Sequence, residues 1–212
     1  MYTGIVQGKF KVTKVDRKPG LHTLQVQLGE ALLEGLNNGS SVGVDGVCLT
    51  VAGIDGSHVR FDVMMETLNL TTLAGVEAGS WVNIERSAKA GAEIGGHPIS
   101  GHVDTKAKIV SIERPENNWV MRFAVAPKWM RYVFSKGFLS VNGCSLTVVN
   151  ADKAKGEFDV WLIPETLRLT TFGEKQPGDE VNIEVERQTQ VIVDTISDLL
   201  KDPVFRREHG LG

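Results

Sequence analysis

The sequence is written twice. Gly4-Ile5-Val6 recurs as Gly101-His102-Val103, 97 residues further on, and Lys9, Lys11 and Arg17 meet Lys106, Lys108 and Arg114 at the same spacing. Residues 44–51 (VDGVCLTV) face residues 141–148 (VNGCSLTV), and Phe61-Asp62-Val63 faces Phe158-Asp159-Val160, again at 97. Two residues are then inserted and the spacing becomes 99: Glu66-Thr67-Leu68 meets Glu165-Thr166-Leu167, Thr71-Thr72 meets Thr170-Thr171, and residues 82–85 (VNIE) meet 181–184. A unit of this length is too long for a solenoid repeat and suits a small domain with its own core. The 212 residues, 42% of them hydrophobic, are enough for two such cores.

Each unit reads as β-rich. Residues 9–15, 23–28, 47–54, 58–63 and 80–85 form short β-branched stretches with partial alternation, and 107–112, 119–125, 145–149, 158–162 and 180–185 repeat them. Asp55-Gly56 and Asn37-Asn38-Gly39 are turn signals. So many short strands imply a sandwich or a barrel, and closure into a barrel removes exposed edges. One helical stretch per unit is expected, at 30–36 (EALLEGL) and 127–134 (PKWMRYVF). The expected domains are residues 1–97 and 98–187. A helix over 188–203 follows, with Ile192, Ile196, Leu199 and Leu200 near one face, and it packs either on its own barrel or between subunits. Pro203 marks its end, and 204–212 is expected to be a flexible tail.

Composition removes several function classes. The net charge is −3 with acids and bases interspersed, so there is no basic stripe for nucleic acid. The two cysteines, Cys48 and Cys144, argue against a disulfide framework. No apolar run approaches the roughly 20 residues of a membrane span, and MYTGIVQGKF is not a signal peptide. A cytoplasmic protein with no membrane or nucleic-acid partner is expected.

Three paired segments carry candidate chemistry. Gly4 and Gly101 would let a ligand approach the backbone closely. His102, beside Gly101, is the strongest acid–base candidate, because an unperturbed imidazole titrates near ~6.5; the plainer alternative is a hydrogen-bonded structural histidine. His97 nearby makes a metal pair conceivable, but no further ligands join it, so no metal is expected. Strand spacing turns Cys48 and Thr50 to one face, and Ser145 and Thr147 to the equivalent face, so two nucleophile-type side chains hold matching positions. Each also has an ordinary alternative, a buried small hydrophobe for Cys48 and a backbone-bonded hydroxyl for Ser145. Met65-Glu66-Thr67 and Pro164-Glu165-Thr166 can bond a polyol or a heterocycle edge, or serve simply as turns.

Together these segments resemble riboflavin synthase from Met1 to about Leu200: MYTGIV, GVCLTV at 46–51, METL at 65–68, GGHPISGHVD at 95–104, KGFLSVNGCSLTV at 136–148, IPETL and VNIE. The resemblance implies an all-β fold of two tandem six-stranded Greek-key β-barrels from an internal duplication plus a C-terminal α-helix, assembled as a homotrimer around that helix. It implies a cofactor-free dismutation of two 6,7-dimethyl-8-ribityllumazine molecules to riboflavin and 5-amino-6-(D-ribitylamino)uracil, between the N-terminal barrel of one subunit and the C-terminal barrel of a neighbour. Carried over by position, Gly4, Ile5, Val6, Cys48, Leu49, Thr50, Asp62, Val63, Met64, Met65, Glu66 and Thr67 line a first pocket. Gly101, His102, Val103, Lys136, Ser145, Leu146, Thr147, Trp161, Leu162, Ile163, Pro164, Glu165 and Thr166 line a second. His102 and Thr147 are expected to assist deprotonation of the 7-methyl group, Ser145 and Cys48 to handle nucleophilic or proton-relay steps, and Lys136 to stabilise anionic charge.

The chain departs from the family's pattern at three positions. Tyr2 stands where Phe is usual, and its hydroxyl needs a partner. Asn142 stands where the family generally carries Asp, with Asp45 in the first unit; an amide is no base, so Asn142 is read as a turn residue. Val47 replaces a second Cys. The alternative reading is a non-catalytic lumazine- or flavin-binding fluorescent protein of the same fold, against which the retained His102, Lys136, Ser145 and Thr147 weigh.

Overall fold

The computed structural model describes residues 1–116 and 118–210. Twelve strands form two closed antiparallel barrels. The first contains β1 (Gly8–Lys18), β2 (Leu21–Gln27), β3 (Ser41–Val44), β4 (Val47–Asp55), β5 (His58–Met64) and β6 (Trp81–Arg86), with a short helix α1 (Glu30–Leu33) between β2 and β3 and α2 (Met65–Leu70) after β5. The second contains β7 (Thr105–Glu113), β8 (Trp119–Val125), β9 (Phe138–Val141), β10 (Cys144–Asp152), β11 (Glu157–Leu162) and β12 (Glu180–Val185), with α3 (Pro164–Leu169) after β11. The ring order β1-β2-β5-β4-β3-β6 is repeated strand for strand by β7-β8-β11-β10-β9-β12, a Greek-key order in which β2 skips to β5.

The duplication extends to the irregularities. Pairing slips at Val12/Lys14 and Val51/Gly53 in the first barrel, and at Ile109/Ser111 and Val148/Asn150 in the second. These four slips fall at the same two places of the repeat. A bulge bends and twists its strand, which a six-stranded sheet needs in order to close. Inside each closed wall sits a separate core: Leu24, Phe61, Leu73 and Ile84 in the first, Phe123, Phe158, Phe172 and Ile183 in the second.

The barrels meet across a junction with near two-fold symmetry. Asp45-Gly46 and Asn142-Gly143 are the β3–β4 and β9–β10 turns, with φ of 45° at both Asp45 and Asn142 and 79° and 83° at the glycines. A Cβ on Gly46 would lie 2.5 Å from the Gly143 nitrogen, so the turns stack backbone on backbone. Asp45 Oδ1 accepts the Asn83 N–H at 2.8 Å, and Asn142 Oδ1 accepts the Asn182 N–H at 2.7 Å. The asparagine side chains then cross over, Asn83 Nδ2 donating to the Asn142 carbonyl and Asn182 Nδ2 to the Asp45 carbonyl. Burial pushes the Asp45 carboxyl up to about 6. Asn142 is therefore a left-handed turn residue, and its amide does the same work as the Asp45 carboxylate.

Several local expectations change. The first helical stretch ends at Leu33, before Gly35 at φ 64°, and the second is a 3-10 turn over Pro127–Tyr132. The four-residue strands β3 and β9 and the six-residue helices α2 and α3 are too short to impose a period on the sequence. Helix α4 (Arg187–Leu199) falls where the long helix was expected, capped by Glu186, whose carboxylate accepts the Gln188 and Thr189 N–H groups. The expected tail instead carries α5 (Pro203–Glu208): Asp202 caps it, and Pro203 occupies its first turn rather than ending α4. Residues 211–212 of that tail lie outside the described residues.

Candidate active site

Each repeat begins with an arm that leaves its own barrel and completes the other. The Ser145 N–H donates to the Gly4 carbonyl at 2.9 Å, and the Cys48 N–H donates to the Gly101 carbonyl at 2.8 Å. Val6 is buried in the second barrel's core and Val103 in the first's. The contact is close because the arms are glycine: a Cβ on Gly4 would lie 2.5 Å from Ser145 Cβ, and one on Gly101 2.6 Å from Cys48 Cβ, at φ of 78° and 82°. This crosses the grouping expected from the sequence. Gly101-His102-Val103 belongs with Cys48, Thr50 and Asp62, while Gly4-Ile5-Val6 belongs with Ser145, Thr147 and Trp161. The spacing of a repeat says which residues are equivalent, and says nothing of which copy they pack against.

Two buried carboxylates hold the arms. Glu85 accepts the Thr3 N–H (2.7 Å), the Thr3 hydroxyl (2.8 Å) and the Gly4 N–H (3.1 Å). Glu184 accepts the Ser100 N–H (2.8 Å), the Ser100 hydroxyl (2.7 Å) and the Gly101 N–H (2.9 Å). Burial raises the Glu85 pKa, and the bonds from Thr3 and Gly4 oppose it. Arg187 adds a brace to the second arm only, donating to the His102 carbonyl at 2.7 Å and pairing with Asp104 at 2.8 Å.

On the first wall, Cys48 and Thr50 of β4 point outward, while Leu49 and Val63 point into the core and can offer a ligand only their backbone. His102 is exposed beside them. Asp62, Met64, Met65 and Glu66 are exposed at the end of β5 and start of α2, with Thr67 half-buried, and Asp62 accepts the Thr23 hydroxyl at 2.7 Å. Tyr2 lies beneath this wall, its hydroxyl donating to Cys48 Sγ at 3.1 Å.

On the second wall, Ser145 and Thr147 of β10 point outward, and Leu146 and Leu162 point inward. Trp161, Ile163 and Pro164 are exposed, and Glu165 is engaged by Arg168 at 2.6 and 2.8 Å, beside a half-buried Thr166. Lys136 is exposed with φ 69°, where the first repeat has Gly39 at φ 86°. A lysine held in the left-handed region costs energy that a glycine avoids, which is a mark of functional sites.

The sequence reading missed the strongest contact here. His97 is buried, and its Nδ1 lies 2.6 Å from Ser145 Oγ in a hydrogen bond. Its N–H donates to the Thr3 carbonyl, and its ring stacks on Phe138 at 5.6 Å. Burial lowers the His97 pKa, with Glu186 pulling weakly the other way, so the ring is held neutral. At the 97-residue spacing no residue of the first repeat faces His97, so comparison of the repeats gives it no role beyond a conceivable metal ligand. Among the described residues no group of three or more His, Cys, Asp or Glu side chains is arranged to hold a metal. A groove of about 680 Å³ between the barrels, lined by Asp45, Thr72, Trp81, Lys106 and Glu174, lies away from both walls. One of about 590 Å³ runs along the first arm past Thr3 and Ile5.

Two matched outer walls, each closed by the other repeat's arm, define a tandem-barrel protein with paired small-molecule sites. The lumazine binding domain family matches the chain twice, over residues 3–87 and 100–186. Riboflavin synthase of Escherichia coli K12 is 47% identical over 201 residues, covering 94% of this chain and 93% of that one. Riboflavin synthase of Buchnera aphidicola from Schizaphis graminum is 43% identical, covering 96% and 98%, and that of Chlamydia pneumoniae 40%, covering 94% and 97%. The chain belongs to the riboflavin synthase family. The crystal structure of LumP complexed with riboflavin has the same fold, with TM-score 0.82 at 24% identity over 88% of this chain and all of that one. LumP complexed with 6,7-dimethyl-8-(1'-D-ribityl) lumazine gives 0.79 at 24%, over 87% and 99%.

Proposed function

We propose that the chain catalyses the dismutation of two 6,7-dimethyl-8-ribityllumazine molecules to riboflavin and 5-amino-6-(D-ribitylamino)uracil. The observation that carries this is the pair of equivalent outer walls made by the crossed arms. A reaction between two identical molecules needs two sites of one kind, and holding both reactants removes the entropy cost of their encounter from the chemical step. The four-carbon transfer conserves the atoms of its two substrates, so it needs neither oxidant nor reductant.

In this reading Cys48, Thr50, Asp62 and His102 serve one lumazine, and Ser145, Thr147, Trp161 and Lys136 the other. The neutral His97 ring accepts the Ser145 proton through Nδ1, which readies the oxygen as nucleophile or proton relay. His102 and Thr147 assist proton loss from the 7-methyl group, and the Lys136 ammonium offsets anionic charge. We further infer a homotrimer working in the cytoplasm. Val191, Ile192, Ile196 and Leu199 leave an exposed apolar face on α4, which supports assembly through that helix. Both cysteines are free thiols, and no helix among the described residues is long and apolar enough to cross a membrane.

The test is direct: purified protein incubated with the lumazine develops riboflavin absorbance. Bound lumazine that fluoresces without conversion would favour the non-catalytic binding protein. Near-normal turnover in both His102→Ala and Ser145→Ala would overturn the residue roles.

A further inference from the structure

The two walls differ most in what stands behind their nucleophile-type side chains. Ser145 faces a titratable ring, His97; Cys48 faces a phenol, Tyr2. Tyr2 cannot swing away. Its N–H donates to the Ile99 carbonyl at 2.7 Å, and its carbonyl accepts the Ile99 N–H at 3.0 Å. Its ring is wedged so tightly that a Cβ on Gly43 would lie 3.3 Å from Tyr2 Cε1, and one on Gly101 2.9 Å from Cε2. A buried hydroxyl must find an acceptor, and Cys48 Sγ at 3.1 Å takes that place. Phe in its place would have no proton to give.

We propose that Tyr2 is a positioning residue for the first wall, its hydroxyl donating to Cys48 Sγ so that the sulfur is held as an acceptor and its thiolate is stabilised against the arm that carries His102. Several groups keep Tyr2 a donor throughout the working range. Burial, the bond to Cys48, and the nearby Cys48, Glu85 and Glu184 all push its hydroxyl far above the ordinary tyrosine value. The walls then differ in kind: one favours negative charge on a sulfur, the other takes a proton from an oxygen. This assignment rests on the first wall being one of the reaction's two sites.

The test reads the thiol itself. Cys144 is buried in the second core and its thiol is pushed up to about 12, so iodoacetamide alkylation between pH 6 and 9 reports on Cys48, with Cys48→Ser as the control that removes the signal. Tyr2→Phe is expected to slow alkylation near neutral pH by about tenfold and to move the rise of the profile to higher pH, as loss of one hydrogen bond to a charged acceptor requires. An alkylation profile unchanged within twofold overturns the inference, whatever the turnover. Wild-type protein that makes no riboflavin overturns the proposed function and leaves the thiol result standing. Should Tyr2→Phe fail to fold, 3-fluorotyrosine incorporated in a Tyr132→Phe background strengthens the donor and must shift the profile to lower pH; no shift there also overturns the inference.

Discussion

The carbonyl of Gly4 accepts the Ser145 N–H at 2.9 Å, so the wall that carries Ser145 is completed by a residue 141 positions away in the other repeat. Gly101 and Cys48 repeat the relationship in the opposite sense. Each site therefore depends on the fold of both barrels.

Adding one methyl group to either arm is expected to break that dependence. Gly4→Ala places an L-residue at φ 78° with its Cβ on top of Ser145, and Gly101→Ala does the same against Cys48. The left-handed backbone alone costs roughly 1–2 kcal/mol. Urea titration should show a loss of at least that size, and lumazine binding should weaken at the wall whose arm is displaced.

His97→Gln and Ser145→Ala are expected to cut riboflavin formation to similar, non-additive extents, as for two members of one hydrogen-bonded unit. The wild-type rate should stay level above pH 6.5 and fall only as pH drops through the lowered His97 value, because the neutral ring is the active form. Stability follows the same sign. The unfolded chain takes up the proton near its ordinary value while the folded ring resists it, so stability is lost as pH falls from about 6.5. A rate profile with no acidic fall, or additive losses in the double variant, would rule out the pair.

Asp45 runs the other way. Its folded value of about 6 lies above the 3.8 of an ordinary aspartate, so its carboxyl opposes folding increasingly as pH rises through that interval. Asp45→Asn, which recreates the Asn142 arrangement, should stabilise the protein at pH 8 by on the order of 2 kcal/mol and leave it unchanged at pH 4. Thermal melting at the two pH values checks this.

Charging the exposed face of α4 addresses the assembly. Ile192→Glu with Ile196→Glu should leave each barrel's melting largely intact, since both residues are more than half exposed and lie outside the two cores. The inferred trimer should then dissociate to monomers in sedimentation, and turnover should fall with it; an unchanged sedimentation profile would overturn assembly through α4.

The duplication made the architecture legible, because two copies of a β-rich unit leave few closed folds. The outward aim of Cys48, Thr50, Ser145 and Thr147 follows from strand alternation in β4 and β10, whereas the bulges interrupt that alternation and the ring order depends on pairings between distant strands. The crossing of the arms was hidden, since Gly4 and Gly101 are each other's images and either could have packed at home. His97 was hidden for the opposite reason: it has no image, so comparison of the repeats passed over it. The helices at Met65 and Pro164 escaped because six residues span less than two turns.

The stacked turns at Gly46 and Gly143 also bear on how such a chain can diverge. A side chain added to one turn collides with its twin, and Asn83 and Asn182 each reach into the other copy, so a change near this axis must satisfy both halves at once. Positions out on the rim carry no such obligation. That is where Cys48 has parted from Ser145 and His102 from Ile5, which leaves two descendants of one ancestral half welded at the hinge and free to specialise at their outer faces.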